Sequence, residues 1–377
     1  MGALRYLAEA SQLGRVRAIS AVSGGSITAA VVADRWPELA SAGFTVAAFE
    51  EHVSGPFVDA VSRKNLRNRG VGRWLVTRVA PKRRRLGSSL GVTMTKHLLR
   101  AQRVVDLPDG VQVVLTSTDL ASGRAFRVSQ RFIGSWEFGY VAPPPTLSLS
   151  LAIAASTAVP FLFPPVHLRT AGLGLRDPPP ELSLVDGGVY DNLGLEWFQG
   201  WDRGRPDGAR PCDFVLAVDA SGPLRISPRR FGWGRSLFRS QSAQYAQTRA
   251  SRVRWFVDQL IAGRMRGLLV QIDKEPAAFR PPAGIPVRAD AADGALPEGF
   301  ADALTGLRTD LDRFLPEEAE LLMYHGYWSM HVRLRHLRPD LAVARPEWSQ
   351  YASMSTDRAA SLLALLRTGE RRSVHRR

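Results

Sequence analysis

A side-chain hydroxyl acts as a nucleophile only when it is exposed, close to a base and faced by N–H donors that hold the developing oxyanion. One serine of this 377-residue chain stands in a segment of that kind, Ala21-Val22-Ser23-Gly24-Gly25. It joins a short, partly β-branched apolar run from Val16 to an alanine-rich run that reaches Ala33 with apolar residues at helical spacing. The change of period predicts a strand, a tight turn and a helix. That is the geometry of a nucleophile elbow, with Ser23 Oγ at the apex and the Gly24 N–H at the helix N-terminus facing the oxyanion. Ala21 and Gly25 are small enough for strand and helix to approach closely, although alanine replaces the first glycine of G-x-S-x-G. The competing reading is a glycine-rich βα loop that only reverses the chain or cradles a phosphate. No Lys-Ser/Thr pair and no G-x-G-x-x-G stands at the turn, so phosphate binding is the poorer alternative.

The serine needs a base, and two arrangements offer one. In a Ser-His-Asp triad the imidazole takes the proton, and His325, His331 and His336 follow the serine in a suitable chain order. They lie in a long helical pattern, however, whereas a triad histidine belongs on a loop at the strand ends. His52, His97 and His375 have uninformative surroundings, and His167 has no evident carboxylate partner. In a dyad a carboxylate meets Oγ directly. Asp186 suits this role, at the end of the apolar strand Leu182-Ser183-Leu184-Val185 and ahead of Gly187 and Gly188, which let the backbone pass close to another element. Burial there would raise its pKa and strengthen it as a base. An ordinary Asp-Gly turn is the alternative. Asp191 is a weaker candidate base, and Asn192 is a candidate for orienting a neighbour or capping a helix.

Taken together, the Ser23 and Asp186-Gly187-Gly188 segments resemble the patatin-like phospholipase family. The resemblance extends to Thr118-Asp119-Leu120, to Ala155-Ser156-Thr157-Ala158-Val159-Pro160 with Phe163-Pro164-Pro165, and to the strand ending at Asp219. It covers residues 1 to about 220, with weaker similarity at 307–311. By that resemblance Ser23 is the nucleophile, Asp186 the base and Gly24 an oxyanion donor. The implied fold is a three-layer α/β/α architecture with a mostly parallel central sheet. The implied activity is hydrolysis of acyl-ester lipids such as phospholipids through an acyl-enzyme, without metal or other cofactor. Members of the family usually begin with a strand and a glycine-rich oxyanion loop, so such a segment is expected upstream of Met1. Its absence motivates a second expectation, a catalytically impaired lipid-binding or interaction module of the same fold.

The elements that must position these residues follow from pattern. A helix is expected over about 2–10, and the elbow helix should end at Asp34 or Trp36, ahead of Pro37. Val111–Leu115 and Ala125–Val128 read as a hairpin whose turn Asp119 closes. Residues 147–158 read as a short strand or buried helix, and Phe214–Asp219 as a buried strand of the parallel type. Helical spacing covers 236–262 and 298–338, with Leu311, Phe314, Ala319, Leu322, Tyr324 and Tyr327 as a buried stripe. This divides the chain into an acyl hydrolase domain over 1–220, a helical extension over 221–370 and a basic tail over 371–377.

Composition bounds the rest. A hydrophobic content of 45% permits a sizeable core. The single Cys212 excludes an internal disulfide and a cysteine-rich zinc site, suits a reducing compartment, and is expected to pack at a strand start. The net charge of +15 comes almost entirely from arginine, which reads largely as compositional bias. Nucleic acid is an unlikely partner because no zinc, helix-turn-helix or RNA-binding signature accompanies the charge. The arginine-rich stretch from Arg63 to Arg85, with Trp74, makes an anionic membrane surface a candidate partner. No signal peptide is recognisable, and prolines interrupt the uncharged stretch 141–166, so a cytoplasmic or peripheral membrane protein is expected.

Overall fold

The computed structural model describes residues 1–63, 98–199, 213–227, 231–307 and 314–371. Helix α1 (Gly2–Glu9) leads into β1 (Ala18–Val22), and α2 (Gly24–Asp34) starts directly after Ser23. A short helix, Trp36–Ser41, follows, so the elbow helix ends where the sequence placed its stop.

The spine of the sheet is β2 (Gln112–Asp119), buried at all eight positions. Along one edge it pairs with β3 (Ala125–Ser129), which continues through β4 (Ile133–Ser135) to β5 (Gly139–Val141). Along the other edge β2 takes two partners in succession. Its first part pairs in parallel with β1, Ala18 opposite Gln112 through Val22 opposite Thr116. Its last part pairs antiparallel with β7 (Glu181–Asp186), Asp186 opposite Ser117 through Leu184 opposite Asp119. Strand β6 (Val166–Arg169) closes that side against β7.

The fold is α/β, but the expected mostly parallel central sheet is not what forms. Only the β1–β2 pair is parallel, and every other ladder of this seven-stranded sheet is antiparallel. The connections explain it: β2, β3, β4 and β5 follow one another through turns too short for the crossover that parallel neighbours require. Parallel pairing recurs in a separate two-stranded sheet, where β8 (Val215–Asp219) lies beside β9 (Gly267–Gln271). The long helix α5 (Trp233–Ile261) makes the crossover between them. The apolar run 214–219 is thus a parallel strand as read, while β9 lies in the stretch between the two expected helical segments, where no strand was read.

One face of the large sheet packs Val113 and Leu115 with α2 and with α3 (Leu149–Ser156), resolving 147–158 as a buried helix. On the other face Val114 and Phe132 meet Trp197 of the short helix α4 (Glu196–Gln199), the Phe132 and Trp197 rings stacked at 4.9 Å. Helix α6 (Pro316–Leu337) packs on α1 so closely that a side chain at Gly2 would overlap the Met323 carbonyl. Ala319, Tyr324 and Tyr327 of the expected stripe are buried; Leu322 and Phe314 are half-buried, and Leu311 lies outside the described residues. Cys212 and most of the 63–85 arginine stretch also lie outside them. The chain closes with α7 (Thr356–Arg371), and the remainder of the basic tail is not among the described residues.

Candidate active site

The two partners of β2 create the site. Strand β1 ascends to Val22 opposite Thr116, and β7 descends to Asp186 opposite Ser117. Because one is parallel and the other antiparallel to β2, their C-terminal ends point at each other across adjacent residues of the spine. Ser23, one residue beyond β1, therefore meets Asp186, the last residue of β7.

Ser23 holds φ at +54° and ψ at −131°, a conformation costly for any residue with a Cβ, of order 1–3 kcal/mol. Its N–H is held by α3, donating to the Ser156 carbonyl at 3.1 Å and to Ser156 Oγ at 3.2 Å. The buried Ser156 hydroxyl in turn bonds Ser26 Oγ at 2.7 Å and the Thr116 carbonyl at 2.6 Å. One hydroxyl thus ties the elbow, its helix and the spine together. The sequence placed Ser156 in a segment that carries the family resemblance but assigned it no role at the elbow. Gly24 and Gly25 are exposed, and a Cβ would meet nothing at Gly24 and only Ala21 at 3.9 Å at Gly25. A Cβ at Gly25 would thus just touch Ala21 across the strand–helix contact, while the space at Gly24 is open. As the first residues of α2 the two glycines carry N–H groups with no intrahelical partner.

Asp186 is 1% exposed. Oδ1 accepts the Gly188 N–H at 2.8 Å, while Oδ2 has no hydrogen-bond partner among the described residues. Burial pushes the carboxyl up to about 6; the Ser23 side chain and the Gly188 amide pull it partly back. Ser23 Oγ is thus beside the carboxylate without closing a standard hydrogen bond to Oδ2. The two glycines have separate reasons. A Cβ at Gly187 would overlap the Thr116 carbonyl oxygen, and at Gly188 it would come within 3.0 Å of Asn192, Tyr245 and Asp186.

Tyr245, on α5, escaped sequence reasoning. Its ring edge packs on Gly188, and its hydroxyl is buried beside the Gln241 side chain. Burial, and then the nearby Asp186 carboxylate, push its pKa up. Helix α5 is anchored beside the site by Arg249, whose Nε donates to buried Asp219 Oδ2 at 2.6 Å, and by Arg252, 3.8 Å from Asp191.

The other candidates are engaged elsewhere. Asp191 accepts the N–H groups of Leu193 and Glu196 at 3.2 and 2.9 Å, which caps α4, and Asn192 donates to Ser221 Oγ at 2.7 Å. Asp119 closes its turn as expected, accepting from the Ser122 amide and hydroxyl at 2.9 and 2.7 Å. Of the α6 histidines, His325 Nε2 bonds the Ile272 carbonyl at 2.9 Å, His331 Nδ1 meets the Tyr6 hydroxyl at 3.0 Å, and His336 joins the Val332 carbonyl to the Arg288 amide. Burial lowers both His325 and His331 to about 4. His167 does have a carboxylate partner, Glu181 at 2.8 Å across the β6–β7 ladder, and both belong to that hairpin rather than to the elbow. Among the described residues no group of three or more His, Cys, Asp or Glu is placed to hold a metal ion.

Ser23 and Asp186 open into a cavity of about 1550 Å³. Its lining takes every residue of β1 and every residue of β8 in turn. Successive side chains of a strand point to opposite faces, so the cavity runs along the edges of both strands, the edges that β2 and β9 leave free. Apolar side chains such as Ile19, Leu193, Leu322 and Met323 line it as well. The volume exceeds the roughly 300–1,000 Å³ of pockets for drug-sized ligands.

The family model described as patatin-like phospholipase matches residues 1–197. A comparison with curated proteins returned no match. The matched segment is more than half of the 377 residues and carries both the elbow serine and the Asp-Gly-Gly aspartate, so the chain belongs to the patatin-like phospholipase family.

Proposed function

We propose that this protein is a serine acyl hydrolase of phospholipids or related acyl-ester lipids, using Ser23 and Asp186 as a catalytic dyad. The family is one of lipid acyl hydrolases; the assignment of residues rests on the end-to-end meeting of β1 and β7. Ser23 Oγ attacks the ester carbonyl carbon as its proton passes to Asp186 Oδ2. The carbonyl oxygen becomes an oxyanion facing the Gly24 N–H. Collapse breaks the bond to the alcohol oxygen, which takes the proton from Asp186 and leaves as a lysolipid or alcohol. Water then adds to the acyl-enzyme, its proton moving to Asp186 and on to Ser23 Oγ as the fatty acid departs. The raised pKa of Asp186 favours this role, because a carboxylate near 6 is a stronger base than one near 4 yet remains ionised at neutral pH.

Fatty acid release from phospholipid dispersions by wild type, and its loss in Ser23→Ala, is the expected outcome; undiminished turnover by Ser23→Ala would refute the assignment. A catalytically impaired lipid-binding module is the second reading. It is favoured by the open contact between Ser23 and Asp186, whose Oδ2 has no hydrogen-bond partner among the described residues. A fluorophosphonate probe, which reacts only with an activated serine, separates the two.

A further inference from the structure

Of the fourteen large hydrophobic side chains exposed among the described residues, nine fall in two segments, 161–162 and 218–238. The structure brings those segments together at the mouth of the cavity. The Phe161 ring lies 4.6 Å from that of Phe238 on the first turns of α5, and both residues line the cavity. From there the apolar surface continues outward. Trp233 is 84% exposed and Ile226 95%, and Leu237 shares a helix face with Trp233 four residues earlier. Neither Trp233 nor Ile226 lines the cavity. Phe161 is further held at φ +67°, a conformation that a bulky residue rarely adopts, and is 56% exposed.

The charge around this surface is predominantly positive. No acidic residue stands between Asp219 and Asp258, a stretch that holds eight arginines. Arg239 places its guanidinium 5.8 Å from the Phe231 ring and donates to the Arg225 carbonyl at 2.6 Å, so cationic and aromatic groups share one face. Arg225 is met by Asp302 at 3.3 Å, which offsets one of the charges; Arg235 and Arg239 flank the aromatic residues of the helix. Exposed apolar side chains interleaved with arginine suit the headgroup region of an anionic bilayer, where aromatic rings enter the acyl boundary and guanidinium groups meet lipid phosphates.

We propose that Ile226, Phe231, Trp233, Leu237 and Phe238, with Arg235 and Arg239, form a docking surface for anionic phospholipid membranes that seats the cavity mouth on the bilayer. This rests on the lipid hydrolase reading, since it supplies the route by which an acyl chain passes from bilayer to cavity. It uses none of the residues of the 63–85 arginine stretch.

The test is co-flotation of the full chain with vesicles of phosphatidylcholine alone or with 30% phosphatidylserine (about that fraction suffices for a strongly negative surface potential). Wild type and Ser23→Ala should bind the anionic vesicles equally and the neutral ones more weakly. Trp233→Ser with Ile226→Ser should lower binding by at least about tenfold. Arg235→Ala with Arg239→Ala should lower it about 30-fold on anionic vesicles, near fivefold for each arginine, with little change on neutral ones. All four residues lie outside the cavity, so both double variants should hydrolyse a water-soluble short-chain ester at the wild-type rate while losing turnover on vesicles. Vesicle binding unchanged in both double variants overturns the proposal, as does an absence of binding by wild type. A concentration-dependent dimer that the Trp233/Ile226 variant abolishes, without vesicle binding, would assign the surface to a second copy of the chain and overturn it likewise. Loss of short-chain ester hydrolysis only in Ser23→Ala supports the catalytic reading, and its persistence there refutes that reading without touching the vesicle result.

Discussion

Replacing Asp186 by asparagine should remove ester hydrolysis and, at neutral pH, make the folded protein more stable. The carboxyl is 1% exposed and sits at about 6 instead of 3.8 because burial disfavours its charge. The folded state therefore holds the proton more tightly than the unfolded chain. As pH rises from 4 through 6, stability is lost, and above the folded value the full cost persists. The rise from 3.8 to about 6 corresponds to about 3 kcal/mol. Asparagine keeps an oxygen for the Gly188 N–H, offers Nδ2 to Ser23 Oγ where Oδ2 now lacks a partner, and carries no charge. Its melting temperature should match wild type near pH 4 and exceed it by about 4 °C at pH 7.5, from roughly 2.1 cal/mol/K of unfolding entropy per residue. Melts followed by circular dichroism across that range give the difference. Wild-type kcat/KM on a soluble ester should rise through an apparent pKa near 6 as the base ionises. A melting difference independent of pH would refute the reasoning, because it would mean that the carboxylate is not a buried, desolvated charge.

Other perturbations test the frame around the dyad. Gly187→Ala forces a Cβ into the Thr116 carbonyl, where backbone has little room to give; a loss of about 1–3 kcal/mol in urea melts and a fall in kcat should follow. Ser156→Ala removes the hydroxyl shared by Ser23, Ser26 and Thr116 and should cost about 1–3 kcal/mol, with kcat lowered and KM on a soluble ester unchanged. Arg249→Ala leaves Asp219 buried and unpaired, so a loss of about 3–5 kcal/mol is expected in the same melts, together with loosening of α5 beside Tyr245.

What the chain disclosed by itself was local. The elbow is a change of hydrophobic period at two glycines, and Asp186 is marked by an apolar strand before it and two glycines after it. Both signals lie within a few residues. Strand direction was less accessible, since an apolar run such as 113–115 reports burial and says nothing about whether its neighbours run alongside or against it. The short turns at 120–124, 130–132 and 136–138 did carry that information, and they mark the antiparallel hairpins that replaced the expected parallel sheet. Ser156, Tyr245 and the Arg249–Asp219 pair reach the site only because α3 and α5 fold back onto the ends of β1, β7 and β8, contacts between residues tens of positions apart. His167 and Glu181 illustrate the same limit, their pairing being set by strand register. The exposed aromatic residues at the start of α5 were readable as types, but that they stand at the cavity mouth follows from the contact of Phe238 with Phe161.

The central claim is that Ser23 is an activated nucleophile. Its most direct test is a fluorophosphonate reaction followed by intact mass and peptide mapping. Wild type should take up one equivalent, mapped to Ser23, with none in Ser23→Ala and a much slower reaction in Asp186→Asn. No adduct in wild type, or an adduct on another residue that Ser23→Ala retains, would contradict the account.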